Sequence, residues 1–199
     1  GVIKKATSDI SEALETAEVI MVVIPSSGHT DIAKKVSPYV HDGQIILLNP
    51  GRTFGAVEFD TALRQEGCKA DVIIAETETF IYASRSDGPA QARIFRIKEA
   101  VPVAALPAKR TEEVLHAIED VYPEFIDGID VLHTGLNNMG AIFHPALTIL
   151  NAGWIESTHG DFEFYIDGVT PSVSLVLEAL DRERVTVASA VGIRARNAQ

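Results

Sequence analysis

The chain has 199 residues, of which 46% are apolar, and a formal net charge of −11. That is enough apolar material for one substantial domain, or for a domain with a smaller one appended. The acidic balance argues against nucleic acid as a partner, because phosphate binding needs clustered Lys and Arg, but one local arginine or a helix N-terminus could still hold a small anion.

In chain order, "EALETAEV" (12–19) reads as the end of an amphipathic helix. "VIMVVIP" (19–25) is a continuous β-branched run, as expected of a strand covered on both faces. "HTDIAKKVSPYV" (29–40) has helical spacing, "GQIILLNPG" (43–51) reads as a second buried strand, and "AVEFDTALRQEG" (56–67) as a helix closed by Gly67. "ADVIIAET" (70–77) is a third strand, so the spacing predicts a parallel sheet with crossover helices. Residues 80–108 interleave Ile94, Phe95 and Ile97 with Arg93, Arg96 and Lys98, and we expect antiparallel strands appended to the sheet edge. "TEEVLHAIEDVYPEF" (111–125) predicts a helix with Thr111 as N-cap, and strand character ends after "IDVLHTGLNN" (129–138). From about 136 onward the pattern is helical, including a helix with Thr170 at the N-cap and Pro171 at N1.

The single cysteine, Cys68, excludes an intrachain disulfide and suggests a reducing compartment. The apolar run Val19–Ile24 is too short to span a bilayer, and no signal-peptide pattern is present. A cytoplasmic location and no membrane partner are therefore expected. No pair of histidines has metal-ligand spacing, so no metal site is expected. No G-x-G-x-x-G turn occurs, and "GLNNMG" has the wrong spacing for one. The opening "GVIKKA" is strand-like, and with "TSDISEAL" it resembles the end of a first βαβαβ half. The expected fold is thus the second half of a parallel α/β sheet, lacking its opening βαβ, followed by an all-α domain.

Candidate functional residues lie where three strands end. In doubly wound folds ligands sit beyond the carboxyl ends of strands, and there "VIPSSGH" offers Pro25 and Ser26, "LNPGRTFGA" offers Gly51 and Arg52, and "AETETF" offers Glu76 and Thr77. Gly51 permits close backbone approach, and Arg52 can hold a carboxylate with two parallel hydrogen bonds. His144 stands directly before Pro145 in an apolar stretch with helical spacing. A proline there disfavours helical geometry at residue 144 and predicts a break that aims a titratable ring. The residues alone leave open an ordinary strand-to-helix turn at 25–29, a solvated charge at Arg52 and a buried junction histidine at 144.

"VIPSSGH", "IILLNPGRTFGAVEF", "IAETETFIYASR", "VLHTGLNNMGAIFHPALTILNAG" and "FYIDGVTPSVSLVLEALDRERV" resemble, in this order, the NAD/NADP-dependent octopine/nopaline (opine) dehydrogenase family. The resemblance runs from about residue 8 to 192 and implies a Rossmann-type sheet followed by an all-α domain of the 6-phosphogluconate-dehydrogenase-like kind. It implies a partial dinucleotide-binding domain at 1–133 and a partial helical substrate and dimerisation domain at 134–199. The implied enzyme condenses an amino acid with a 2-oxo acid such as pyruvate and reduces the imine with NADH or NADPH, with a homodimer as the candidate assembly. His144 matches the catalytic acid/base. Pro25, Ser26 and Gly51 fall at the cofactor, and Thr77, Arg52, Asn137 and Asn138 at the two substrates. The rivals are another dehydrogenase of this architecture, acting on a hydroxy acid or sugar phosphate, and a non-catalytic binding or assembly module.

Overall fold

The β-branched run that opens at Val19 forms strand β1 (Val19–Val22), followed by β2 (Ile45–Leu48) and β3 (Ile73–Thr77). The three are parallel, with Val19 beside Ile45 and Ile45 beside Ile73, so their carboxyl ends share one edge. This is a computed structural model, and it describes residues 3–198. The strand-like opening expected at 1–6 is not seen: residues 3–6 are irregular, while Gly1 and Val2 lie outside the described residues.

Alternation along the strands divides the core between two faces of the sheet. Ile46, Leu48 and Ile74 pack on one side with Phe59, Ala62 and Leu63 of α3 (Gly55–Gln65), Ala33 and Val36 of α2 (His29–Val36), and Leu14 of α1 (Ile10–Leu14). Ile45, Leu47, Ile73 and Ala75 pack on the other with Val114 and Ile118 of α4 (Thr111–Ile118). Strands covered on both faces need no polar alternation, which is why they read as unbroken apolar runs. Gly67, at φ +85°, ends α3 by donating its N–H to the Arg64 carbonyl at 2.9 Å.

The segment after β3 departs from expectation. β4 (Tyr82–Gly88) and β5 (Gln91–Ile97) pair only with each other, as a separate two-stranded hairpin. β6 (Val101–Leu106) enters the main sheet antiparallel to β3, and β7 (Phe125–Asp127) lies parallel to β6, giving the order β1-β2-β3-β6-β7. β6 supplies buried Val101, Val103, Ala104 and Ala105, whereas β4 and β5 are exposed almost throughout, so burial decides which strands join. α4 stops at Ile118, short of the helix expected to 125, and residues 131–136 form helix α5 (Val131–Leu136) rather than a strand. The Thr111 hydroxyl is not a helix cap: it accepts the Ala105 N–H of β6 at 3.0 Å.

The chain divides into two compact units between Gly135 and Leu136. The second contains α6 (Gly140–Leu150), α7 (Ala152–Thr158), α8 (Pro171–Ala190) and a tail with no strand among its described residues. Leu147 of α6 packs on Val173 and Leu177 of α8. Thr170 caps α8, accepting the Val173 N–H at 3.4 Å, with Pro171 at N1 as the sequence predicts. Pro145, however, does not break α6, which runs unbroken from Gly140 to Leu150. The proline costs the Ala141 carbonyl its helical donor, but the packing of Leu147 against α8 holds the following turn in register. Asp181 and Arg184, both buried on α8, form an ion pair at 2.7 Å. Arg184 also donates to the carbonyls of Leu136 and Arg196, and Asp181 accepts the Ala198 N–H at 2.8 Å, so the pair clamps the tail. Among the described residues, no helix is long and apolar enough to cross a membrane.

Candidate active site

In the first unit the carboxyl ends of β1, β2 and β3 bring together six of the residues singled out in the sequence. Pro25 is exposed and Ser26 half-buried, in a short 3₁₀ turn after β1 that has no side-chain cap. Gly51 follows β2 and donates its N–H to the Thr77 carbonyl at 3.1 Å. Arg52 is half-buried, with its guanidinium carbon 5.6 Å from the centre of the Phe80 ring. Thr77 is fully buried, and its hydroxyl has two acceptors in reach for its one proton, the Thr79 carbonyl at 2.9 Å and Asn49 Oδ1 at 3.2 Å. Asn49 is a component that the sequence reading missed. Its signal was a polar residue ending a buried strand.

The most connected group at this edge is Glu76, which is fully buried. Its Oε2 accepts the Ala56 N–H at 2.7 Å and its Oε1 accepts the Thr134 hydroxyl at 2.7 Å. The N-cap position of α3 is Phe54, in left-handed geometry with no capping side chain, so a carboxylate from β3 caps the helix instead. Burial pushes the Glu76 carboxyl up to about 7, against the opposing pull of the Ala56 and Thr134 hydrogen bonds. Gly51 is small for the same reason: a Cβ there would stand 2.3 Å from Glu76 Cβ. His29 lies nearby, fully buried, with neither ring nitrogen hydrogen-bonded. A Cβ at Gly55 would come within 3.1 Å of its Nδ1, so the ring is packed against the start of α3. Burial holds this imidazole below its ordinary 6.5, opposed by the charge of Glu58.

In the second unit His144 is exposed on α6 and is not a core histidine. Its Nδ1 lies 3.0 Å from the hydroxyl of Tyr165, with the two rings 6.0 Å apart and inclined at 63°. Tyr165 belongs to the loop between α7 and α8, which Asn151 pins by donating to the carbonyls of Leu147 at 2.9 Å and Gly168 at 3.0 Å. The two candidate asparagines separate. Asn137 Oδ1 accepts the Arg196 N–H at 2.9 Å and so holds the tail. Asn138 is buried with its Nδ2 unpaired. A Cβ at Gly140 would lie 3.2 Å from both Asn138 Oδ1 and His144 Nε2, so Gly140 keeps open the space between them. The second unit therefore offers an imidazole with its Nδ1 edge occupied by Tyr165 and its Nε2 edge close to Gly140, a glycine that also borders the Asn138 amide oxygen. Tyr165 is both donor and acceptor, so it can satisfy Nδ1 in either protonation state of the ring.

Residues 128–199 match the family model described as NAD/NADP octopine/nopaline dehydrogenase, alpha-helical domain. The chain is 41% identical over 184 residues to opine dehydrogenase of Arthrobacter sp. (strain 1C), covering 92% of this chain and 51% of that protein. It thus spans about half the length of the curated relative it matches. Among solved structures, octopine dehydrogenase with NADH and L-arginine matches with a TM-score of 0.75 at 21% identity, over 94% of this chain and 47% of that one. Yersinopine dehydrogenase with NADP+ bound matches with a TM-score of 0.77 at 12% identity, over 96% and 48%. At these identities the structural likeness speaks for the fold, a Rossmann-type sheet followed by a helical domain. By sequence, the segment from Gly128 onward is similar to the helical domain of octopine/nopaline dehydrogenases, and the chain as a whole is similar to about half of an opine dehydrogenase.

Proposed function

We propose that the intact protein is an opine dehydrogenase-type oxidoreductase, which condenses an amino acid with a 2-oxo acid such as pyruvate and reduces the product with NADH or NADPH. The observation that carries this is the 41% identity to an opine dehydrogenase, which spans 92% of the chain and so extends through both units. The family description names NAD and NADP, and a solved octopine dehydrogenase holds NADH and pyruvate. Residues 1–133 then serve as dinucleotide-binding domain and 134–199 as helical substrate and dimerisation domain, in a cytoplasmic homodimer.

The strand-end residues fit a nicotinamide cofactor, because Pro25 and Ser26 stand open at the end of β1 with no side-chain hydrogen bond closing the turn. NADH or NADPH supplies the hydride when bound, with Pro25, Ser26 and Gly51 holding it. Arg52 binds the carboxylate of the 2-oxo acid and Thr77 shapes the pocket floor. Asn138, with its buried free amide, orients the amino acid, and Asn137 supports that segment by holding the tail. His144 moves the protons. Condensation must expel water from a carbinolamine, and the reduced secondary amine needs a proton, and one imidazole serves both transfers. The test is whether the protein oxidises NADH or NADPH only when an amino acid and a 2-oxo acid are both present. Oxidation with the 2-oxo acid alone would point to an ordinary dehydrogenase.

A further inference from the structure

The hairpin of β4 and β5 ends in a residue that the reading above leaves without a role. The Lys98 N–H donates to the Ile81 carbonyl at 3.0 Å, which returns the chain to the segment just after β3. There the Lys98 ammonium donates to the Thr79 hydroxyl at 2.7 Å. The neighbouring residue, Phe80, carries the Arg52 guanidinium over its ring. Arg52, Phe80, Thr79, Glu78 and Lys98 are all half-buried and lie at the carboxyl edge of the sheet.

Two cations are thus gathered at one place in a chain whose net charge is −11. Burial lowers the affinity of Lys98 for its proton and the charge of Arg52 lowers it further, while Glu78 acts in the opposite direction. With two cations and one carboxylate, the cluster keeps one positive charge and matches a single anionic group. The donors suit a carboxylate: the guanidinium offers a planar fork steadied by Phe80, and the ammonium has further protons beyond the one given to Thr79. Arg52 also adopts left-handed backbone geometry, at φ +63°, a conformation that non-glycine residues keep where the surroundings hold them to it.

On the opine dehydrogenase reading, we propose that Arg52 and Lys98 together form the carboxylate subsite for the 2-oxo acid, and that Glu78 restricts it to monocarboxylates. Lys98→Met in the intact protein should raise the KM for pyruvate roughly ten- to hundredfold, the loss of a charged hydrogen bond. The KM values for the nicotinamide cofactor and the amino acid, and the Tm, should stay near those of the parent, and Lys98→Arg should recover most of the loss. Glu78→Gln should raise kcat/KM for 2-oxoglutarate relative to pyruvate. An unchanged pyruvate KM in Lys98→Met, or a rise of all three KM values in step with a lower Tm, overturns the subsite while leaving the enzyme assignment intact. If the parent protein oxidises neither NADH nor NADPH, the enzyme assignment fails instead. Calorimetric titration with pyruvate then decides the subsite: binding weakened by Lys98→Met supports it, and absence of binding to the parent overturns it.

Discussion

The hydroxyl of Tyr165 lies 3.0 Å from Nδ1 of His144, across 21 residues of chain. When the ring is neutral with its proton on Nε2, Tyr165 donates. When the ring is charged, Nδ1 donates to Tyr165 instead. The partner therefore follows the imidazole through a proton-transfer cycle without leaving either state unpaired. His144→Ala should lower kcat by about 10²–10⁴-fold, with little change in Tm because the side chain is exposed. Tyr165→Phe should lower kcat by roughly two- to tenfold and move the pH-rate profile. A Tyr165→Phe profile that overlays the parent would show that the hydroxyl takes no part.

Glu76 and His29 should give stability opposite slopes against pH. The Glu76 carboxyl is raised from its ordinary 4.5 to about 7 in the folded chain, so the folded state binds its proton more tightly. The resulting stabilisation is fully present below pH 4.5 and is lost as pH rises through about 7. At 1.36 kcal/mol per unit it is worth about 3 kcal/mol. Glu76→Gln should remove this dependence while keeping the fold. The glutamine oxygen can accept from Ala56, its amide can donate to Thr134, and the Thr134 hydroxyl can turn to the Val131 carbonyl, 3.3 Å away. Urea unfolding at pH 5 and pH 8 measures the difference, and equal slopes in parent and variant would refute it.

For His29 the sign reverses. Its folded-state affinity for a proton is lowered below the ordinary 6.5, so the stability it contributes is present above that pH and is lost as pH falls below it. Replacement by Met should flatten the acid side of the stability curve. The ring makes no hydrogen bond that the substitution would break. Denaturant midpoints between pH 7 and pH 5 test this, and a variant as acid-sensitive as the parent would be evidence against it.

Gly51→Ala separates two roles for the glycine. The added Cβ would stand 2.3 Å from Glu76 Cβ, so we expect a Tm loss corresponding to about 1–3 kcal/mol. Weaker cofactor binding with an unchanged Tm would instead assign Gly51 to the ligand alone.

The buried ion pair of α8 should show the asymmetry of such pairs. Arg184→Met leaves Asp181 without its counter-charge and should cost about 3–5 kcal/mol, whereas the double variant Asp181→Leu with Arg184→Met should recover part of that. Chemical denaturation of the set forms the cycle. Equal costs for the single and double variants would show that tail clamping, rather than charge burial, dominates.

The parallel strands, the cap of α8 and the closure of α3 were legible because each depends on residues adjacent in the chain: apolar runs, Thr170 with Pro171, and Gly67. The break expected at His144 and the cap expected at Thr111 failed for one reason. Local preference was outweighed by partners distant in sequence, Leu177 across from Leu147 and Ala105 across from Thr111. The hairpin was misplaced because alternation identifies a strand but not the neighbour it pairs with.

By itself the sequence determined the three parallel strands with their intervening helices, the strand ends where a site could form, and the proline-flanked His144 as a candidate for proton transfer. Only the tertiary structure decided what those residues are free to do. It engages the hydroxyl of Thr77, buries Glu76 as the cap of a helix that follows another strand, turns Asn137 to the tail while leaving the Asn138 amide unpaired, and supplies Tyr165 to His144. The physical reason is that hydrogen-bond satisfaction and desolvation depend on neighbours in space, and these neighbours lie up to 59 residues apart in the chain.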